Sequence, residues 1–154
     1  TIAKYIGVED AVVGDKLYEF KPYDKRYEEI KYNNSNVILD CYNANPSSMK
    51  GIIKDMSAIN EDYIFILGDM YELGEGSKDE HENIGLLFNE IKYKKLLLIG
   101  KDMEHCYNAI EDKSKVEHFI NIKDLKEEFN KLSLEQERIV IKASRGLKLE
   151  KLVK

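Results

Sequence analysis

Apolar residues in this chain gather in short continuous runs, separated by longer stretches in which they recur at helical spacing. Val37-Ile38-Leu39, Tyr63 to Leu67, Leu96 to Ile99 and Ile139-Val140-Ile141 are runs of the length and β-branched character of buried strands, and Val116 to Ile120 reads as one more short strand. Between them, Met49, Ile52, Ile53, Met56 and Ile59 keep a helical period, as do Ile84, Leu87, Phe88 and Ile91 within Lys78–Ile91. Met103–Ile110 and the segment marked by Leu125, Phe129 and Leu132 predict two further helices, and Leu147, Leu149, Leu152 and Val153 a short terminal one. Arg26 to Tyr32 alternates as an exposed strand, and the Asn33–Asn36 turn folds it back on Val37–Asp40 as a hairpin. Ahead of it, Ile2, Ala3, Ile6 and Val8 look like the tail of a helix, and Leu17, Phe20, Pro22 and Tyr23 an irregular apolar connector.

Strands alternating with helices predict an α/β fold. Continuous apolar strands fit a sheet covered on both faces. The expected architecture is Rossmann-like: a mostly parallel sheet with an antiparallel edge hairpin and helices on both faces.

Composition narrows the partners. A chain of 154 residues, 43% hydrophobic, suits one well-buried domain. A net charge of −5 with both signs interspersed argues against nucleic acid. Cys41 and Cys106 are far apart and in no metal-ligand spacing, which fits a reduced, cytoplasmic protein. No apolar run approaches the roughly 20 residues that span a bilayer. The chain starts at Thr1, as a fragment of a longer protein would.

Several chemistries are missing from the sequence. There is no G-x-G-x-x-G after the first strand, no G-x-x-x-x-G-K-[ST] loop and no G-x-S-x-G elbow. His81, His105 and His118 fall in separate elements without ligand spacing, so no metal is expected. Three polar loops remain at strand C-termini: Asp40–Pro46, Gly68–Gly76 and Lys142–Gly146. In open α/β sheets such loops share one rim, where ligands bind.

The three loops are also recognisable. Y-N-A-N-P-S-S-M at 42–49, L-G-D-M-Y-E-L-G at 67–74 and K-A-S-R-G-L-K-L-E at 142–150 resemble, in order and spacing, the C-terminal domain of a Mur ligase. F-x-P-x-x-x-R from Phe20 to Arg26 fits the entry into that domain. The first motif is similar to the branch of the family that adds D-alanyl-D-alanine, since sister ligases have D-Y-A-H-T-P or D-Y-x-H-H-P segments there. Cys41, Leu39 and Ala143 depart from the commoner Ser, acid and Gly.

The resemblance implies a three-domain, ATP-dependent amide ligase of peptidoglycan synthesis that joins D-alanyl-D-alanine to UDP-N-acetylmuramoyl-tripeptide. ATP and Mg would be held mainly by the central domain, and the isolated C-terminal domain would hold no catalytic residue and be inactive. Residues 1–15 would be the tail of the central domain and a linker, with a hinge for closure near Val8–Asp15, and 16–154 the C-terminal domain.

By position, Arg26 would reach the ATP phosphates, as a guanidinium fork suits, or be an exposed strand arginine. Asp40 would accept from the nucleotide ribose, or cap the following turn. Asn43 would meet the nucleotide or dipeptide, or cap the helix. Asn45 would meet substrate, though as the residue before Pro46 it is the better N-cap. Tyr42 would line the cleft or pack at the sheet edge. Asp69 and Glu72 would hold the dipeptide ammonium, or Asp69 would satisfy backbone N–H groups instead. Ser144 and Arg145 would bind the dipeptide carboxylate or the acyl-phosphate, with Lys142 structural. His81 would face the site or lie on a helix surface. Two other readings stand beside this one: a Rossmann-like binding or regulatory module without catalysis, and an unrelated enzyme using Asp40 or Cys41.

Overall fold

The computed structural model describes residues 2–19, 26–59, 62–132 and 134–153. Two helices open the chain, α1 (Ile2–Tyr5) and α2 (Asp10–Glu19), and neither buries a residue. Of the expected hinge at Val8–Asp15, Val8 and Glu9 lie between the two helices and the rest in α2, which also contains the 15/16 boundary, and Leu17 is helical rather than part of an irregular connector. Asp10 favours the first turn electrostatically, and Lys16 bridges to Glu19 at 2.6 Å across one turn. Phe20, Pro22 and Tyr23 lie outside the described residues.

Next come β1 (Glu28–Tyr32), β2 (Ser35–Asp40), α3 (Pro46–Ala58), β3 (Ile64–Gly68), α4 (Ser77–Phe88), β4 (Lys95–Ile99), α5 (Met103–Ala109), β5 (Val116–Phe119), α6 (Ile122–Lys131) and β6 (Arg138–Lys142). Short 3₁₀ turns at Gly74–Gly76, Arg145–Leu147 and Leu149–Leu152 complete the chain. Asn33 and Asn34, both at positive φ (45° and 62°), make the two-residue turn between β1 and β2. Asparagine tolerates that geometry, which matches the twist of a tight hairpin.

The strands form one sheet in the order β1-β2-β6-β3-β4-β5, with β1 antiparallel and the rest parallel. One apolar core lies on the face carrying α3, α4 and α5, with Met49, Ile53, Phe65, Ile84, Phe88, Leu98 and Cys106 among its members. The other packs Leu125 and Phe129 of α6 with Leu149 and Leu152 against Val37, Leu39, Ile66 and Ile141. Both cores close within this chain.

This order explains where a ligand can sit. The connections β2→α3→β3→α4→β4→α5→β5 all use the first face, and α6 returns on the second to insert β6 between β2 and β3. The loops after β2 and β3 therefore turn to one face and the loop after β6 to the other. They part at the carboxyl end of β6, the kind of crevice in which doubly wound sheets bind ligands.

Candidate functional site

The parallel register sets Asp40 beside Lys142 and Lys142 beside Leu67, so all three predicted loops leave the sheet at one level. Each then acquires its shape from hydrogen bonds that the strand pattern alone does not reveal.

In the first loop, Asn45 caps α3. Its side-chain oxygen accepts from the Ser48 N–H at 2.9 Å, and its own N–H donates to Ser48 Oγ at 3.2 Å. This reciprocal pair satisfies two otherwise orphaned donors, and Pro46 fits the first turn. Asp40 accepts from Lys142 Nζ at 2.5 Å, and the same ammonium donates to the Asn43 carbonyl at 3.1 Å. The Lys142 side chain is 1% exposed and that of Asp40 19%. The strand-end lysine is thus a buried pin that joins the first and third loops, in keeping with its expected structural role. Asn43 is exposed. Cys41 is buried, its thiol donating to the Ile141 carbonyl at 3.4 Å, which removes the geometry an exposed thiol nucleophile needs.

In the second loop, Asp69 is 5% exposed and its Oδ1 accepts the Met103 N–H at 2.9 Å, at the start of α5. Burial pushes its carboxyl up from the usual range, offset in part by the Met103 and Asp102 N–H groups. Gly100, at φ +120°, makes room for it: a Cβ there would come within 2.2 Å of the carboxyl carbon. The carboxylate expected on the dipeptide ammonium is thus engaged by backbone N–H groups, the other role weighed for it.

His81 is a correction to any surface placement. It is fully buried, and its Nε2 accepts the Met70 N–H at 3.1 Å. Nδ1 is then the protonated nitrogen, donating to the Ser77 carbonyl at 2.7 Å. The 81, 84, 88 spacing on α4 carried that information. Glu72, by contrast, is exposed with φ 64°, a left-handed backbone unusual for a glutamate.

The third loop is stitched to the second. Ser144 is 3% exposed; its Oγ accepts the Tyr71 N–H at 2.9 Å, and its N–H donates to the Asp69 carbonyl at 3.2 Å. Tyr71, missed in the sequence reading, lays its ring on Gly146, where a Cβ would come within 2.8 Å of the ring. Two arginines then meet over the first loop. Arg26 Cζ lies 3.9 Å from the centroid of the Tyr42 ring and Arg145 Cζ 5.0 Å from it. Both arginines are exposed and Tyr42 is half-buried. The crevice therefore has a buried polar floor and an exposed, cationic and aromatic lip.

Residues 25–145 match the family model of the Mur ligase, glutamate ligase domain. The chain belongs to the Mur ligase family. A UDP-N-acetylmuramoyl-tripeptide–D-alanyl-D-alanine ligase of Bacillus subtilis is 34% identical over 160 residues, covering 97% of this chain and 34% of that protein. One from Buchnera aphidicola (Acyrthosiphon pisum) is 37% identical over 132 residues, covering 84% of this chain and 28% of the relative. The Mur ligase domain thus spans about a third of the length of the curated relatives it matches. Among solved structures, MurF from Acinetobacter baumannii superimposes with a TM-score of 0.86 at 22% identity, covering 98% of this chain and 34% of that one. MurF from Thermotoga maritima, in complex with ADP, gives 0.75 at 20%, covering 98% and 34%. These likenesses bear out the mostly parallel, edge-hairpinned α/β fold of this Mur ligase domain. Among its described residues, no helix is long and apolar enough to cross a membrane.

Proposed function

We propose that the chain is the C-terminal domain of an ATP-dependent ligase of peptidoglycan synthesis that joins D-alanyl-D-alanine to UDP-N-acetylmuramoyl-tripeptide. One observation carries the reading: the three motif loops meet at the β6 crevice in a domain 34% identical, over 97% of its length, to a ligase of that name. The reaction consumes ATP to activate the tripeptide carboxyl, and the dipeptide amine displaces phosphate to form the amide. Its use of ATP places it in the cytoplasm.

Within this domain the lip faces ligand. Arg26 and Asn43 meet the nucleotide, and Asp40 offers the edge it keeps exposed to the ribose. Glu72 receives the dipeptide ammonium, and Arg145 an anionic group, beside Tyr42. Asn45, Asp69 and Ser144 support the substrate from behind, through the loops they brace. Mg is assigned to the central domain; among the described residues no three His, Cys, Asp or Glu side chains converge to hold a metal. The N-terminal and central domains supply the remaining contacts and the catalytic residues.

The test is phosphate release from ATP by the longer protein containing this chain, given UDP-N-acetylmuramoyl-tripeptide with and without D-alanyl-D-alanine. The expected result is dipeptide-dependent turnover, reduced at least tenfold by Arg26→Ala. Absence of any dipeptide dependence in the parent protein overturns the assignment.

A further inference from the structure

We propose that His81 is a positioning residue for the dipeptide: its imidazole fixes the span of the second loop and so holds Glu72 where the ammonium binds. The proposal rests on the ligase reading for the identity of that ligand.

Three consecutive N–H groups begin the loop, and each donates to a different element. The Asp69 N–H donates to the Ile99 carbonyl at 3.2 Å, at the end of β4, and the Tyr71 N–H to Ser144 Oγ at 2.9 Å, in the third loop. Between them the Met70 N–H donates to His81 Nε2 at 3.1 Å, on α4. Met70 and His81 are both buried, so this donor has no ready substitute acceptor in water.

The other ring nitrogen serves the far end of the same loop. Nδ1 donates to the Ser77 carbonyl at 2.7 Å, while Ser77 Oγ donates to Asp102 Oδ2 at 2.9 Å. The hydroxyl proton is thus engaged by Asp102, and Nδ1 carries the ring proton. Ser77 opens α4. One neutral imidazole therefore ties the point where the chain leaves the sheet to the point where the helix begins.

The backbone between these two points is strained. Glu72 has φ 64° and Gly74 φ 58°. Left-handed backbone is ordinary for glycine, but a glutamate keeps it only where its surroundings over-determine it. The bonds to Ile99 and Ser144 hold the loop entry to the rim of the sheet, and the bond to His81 holds it to the helix that the loop must reach. Without that bond the entry and exit can part, and Glu72 can relax out of its left-handed conformation with its carboxylate displaced. His81 is fully buried, so it acts through Glu72 rather than on the ligand.

The test compares three variants. In His81→Gln the carboxamide reaches about as far as Nε2, in His81→Asn only about as far as Nδ1, and His81→Leu has no acceptor. Two disruptive variants are used so that one that misfolds does not decide the question. In the ¹⁵N-labelled 154-residue chain, Asn and Leu should speed hydrogen exchange of the Met70 amide by about tenfold or more beyond any change at the strand amides. They should also shift the Glu72 backbone resonances while the strand resonances stay in place. In the longer protein, Asn and Leu should raise KM for D-alanyl-D-alanine by about fivefold or more with kcat within about twofold, and Gln should restore KM. In a Glu72→Gly background the same changes should alter KM by less than about twofold, because no carboxylate remains to be placed. Unchanged Met70 exchange, unchanged KM in the folded Asn and Leu variants, failure of Gln to restore it, or an equal rise in KM in the Glu72→Gly background would each overturn the positioning role. A parent protein without dipeptide-dependent turnover overturns the ligase reading instead, and the exchange and resonance measurements still decide whether His81 sets the loop.

Discussion

Lys142 and Arg145 leave the end of β6 three residues apart, yet they meet opposite surroundings. The Lys142 side chain is 1% exposed and bonded to Asp40, while Arg145 is exposed beside the Tyr42 ring. The same division runs through the whole crevice. Its floor consists of polar groups that answer protein groups: Asp40 with Lys142, Asp69 with the start of α5, His81 with Met70 and Ser144 with Tyr71. Its lip, with Arg26, Tyr42, Asn43, Glu72 and Arg145, faces outward. Residues that look equally reactive in sequence thus divide into those that shape the loops and those that present charge. The division is testable, because floor variants should lose stability and lip variants should not.

The largest loss should come from Asp40→Ala. It leaves the Lys142 ammonium buried, with the Asn43 carbonyl as its single remaining hydrogen-bond partner among the described residues, and breaking a buried pair from one side costs about 3–5 kcal/mol. Lys142→Met should cost less, since the Asp40 side chain keeps 19% of its surface for water. Urea unfolding of both variants decides it, and equal small losses would move the pair out of the floor.

Next in size are the supports of the second loop. Asp69→Ala removes the acceptor for the Met103 N–H, and His81→Leu removes the acceptor for the Met70 N–H. Each leaves a buried donor unmatched, at about 1–3 kcal/mol. Asp69 adds a pH signature. Burial raises its carboxyl pKa above the ordinary 3.8, so its contribution is full below that value and falls as pH rises through the raised one. Asp69→Asn should remove that decline. The stability difference between parent and variant, measured from pH 3 upward, should therefore drift in favour of the variant as pH rises from the ordinary value through the raised one, and then level off. A flat difference would mean the carboxyl ionises as freely as in the unfolded chain.

These same residues show what the sequence could convey. The strands were legible because each is a continuous apolar run, and the Asn45–Pro46 entry to α3 because both residues have local reasons to be there. The three loops were legible for the same cause, since a polar stretch following a buried strand in an α/β pattern leads to the rim. Which side chains turn inward was not legible. Asp40 meets Lys142 only because β6 inserts beside β2, a pairing across about a hundred residues that no local pattern encodes. Asp69 reaches α5 only because Gly100 leaves space for its carboxyl. Helix α2 escaped notice because it buries nothing and so carries no apolar stripe to reveal it. His81 is the exception, where the helical period pointed inward and the polarity of histidine masked it.

The smallest effect on stability belongs to Glu72, and it separates lip from floor most sharply. Its backbone is left-handed at φ 64°, a conformation that costs a side-chain-bearing residue roughly 1–2 kcal/mol, and the residue is exposed. Glycine would relieve that cost, while losing about 0.5–1 kcal/mol to its greater freedom in the unfolded chain. Glu72→Gly should therefore leave the domain as stable as before or more so, by up to about 1.5 kcal/mol. In the longer protein the same change should raise KM for D-alanyl-D-alanine about tenfold with little change in kcat, because a carboxylate that pairs with the dipeptide ammonium acts in binding. A glutamate retained where glycine fits better is a strained position of the kind that clusters at ligand sites. Loss of more than 1 kcal/mol in unfolding would instead place Glu72 in the floor with Asp69, and the ammonium would then need another partner.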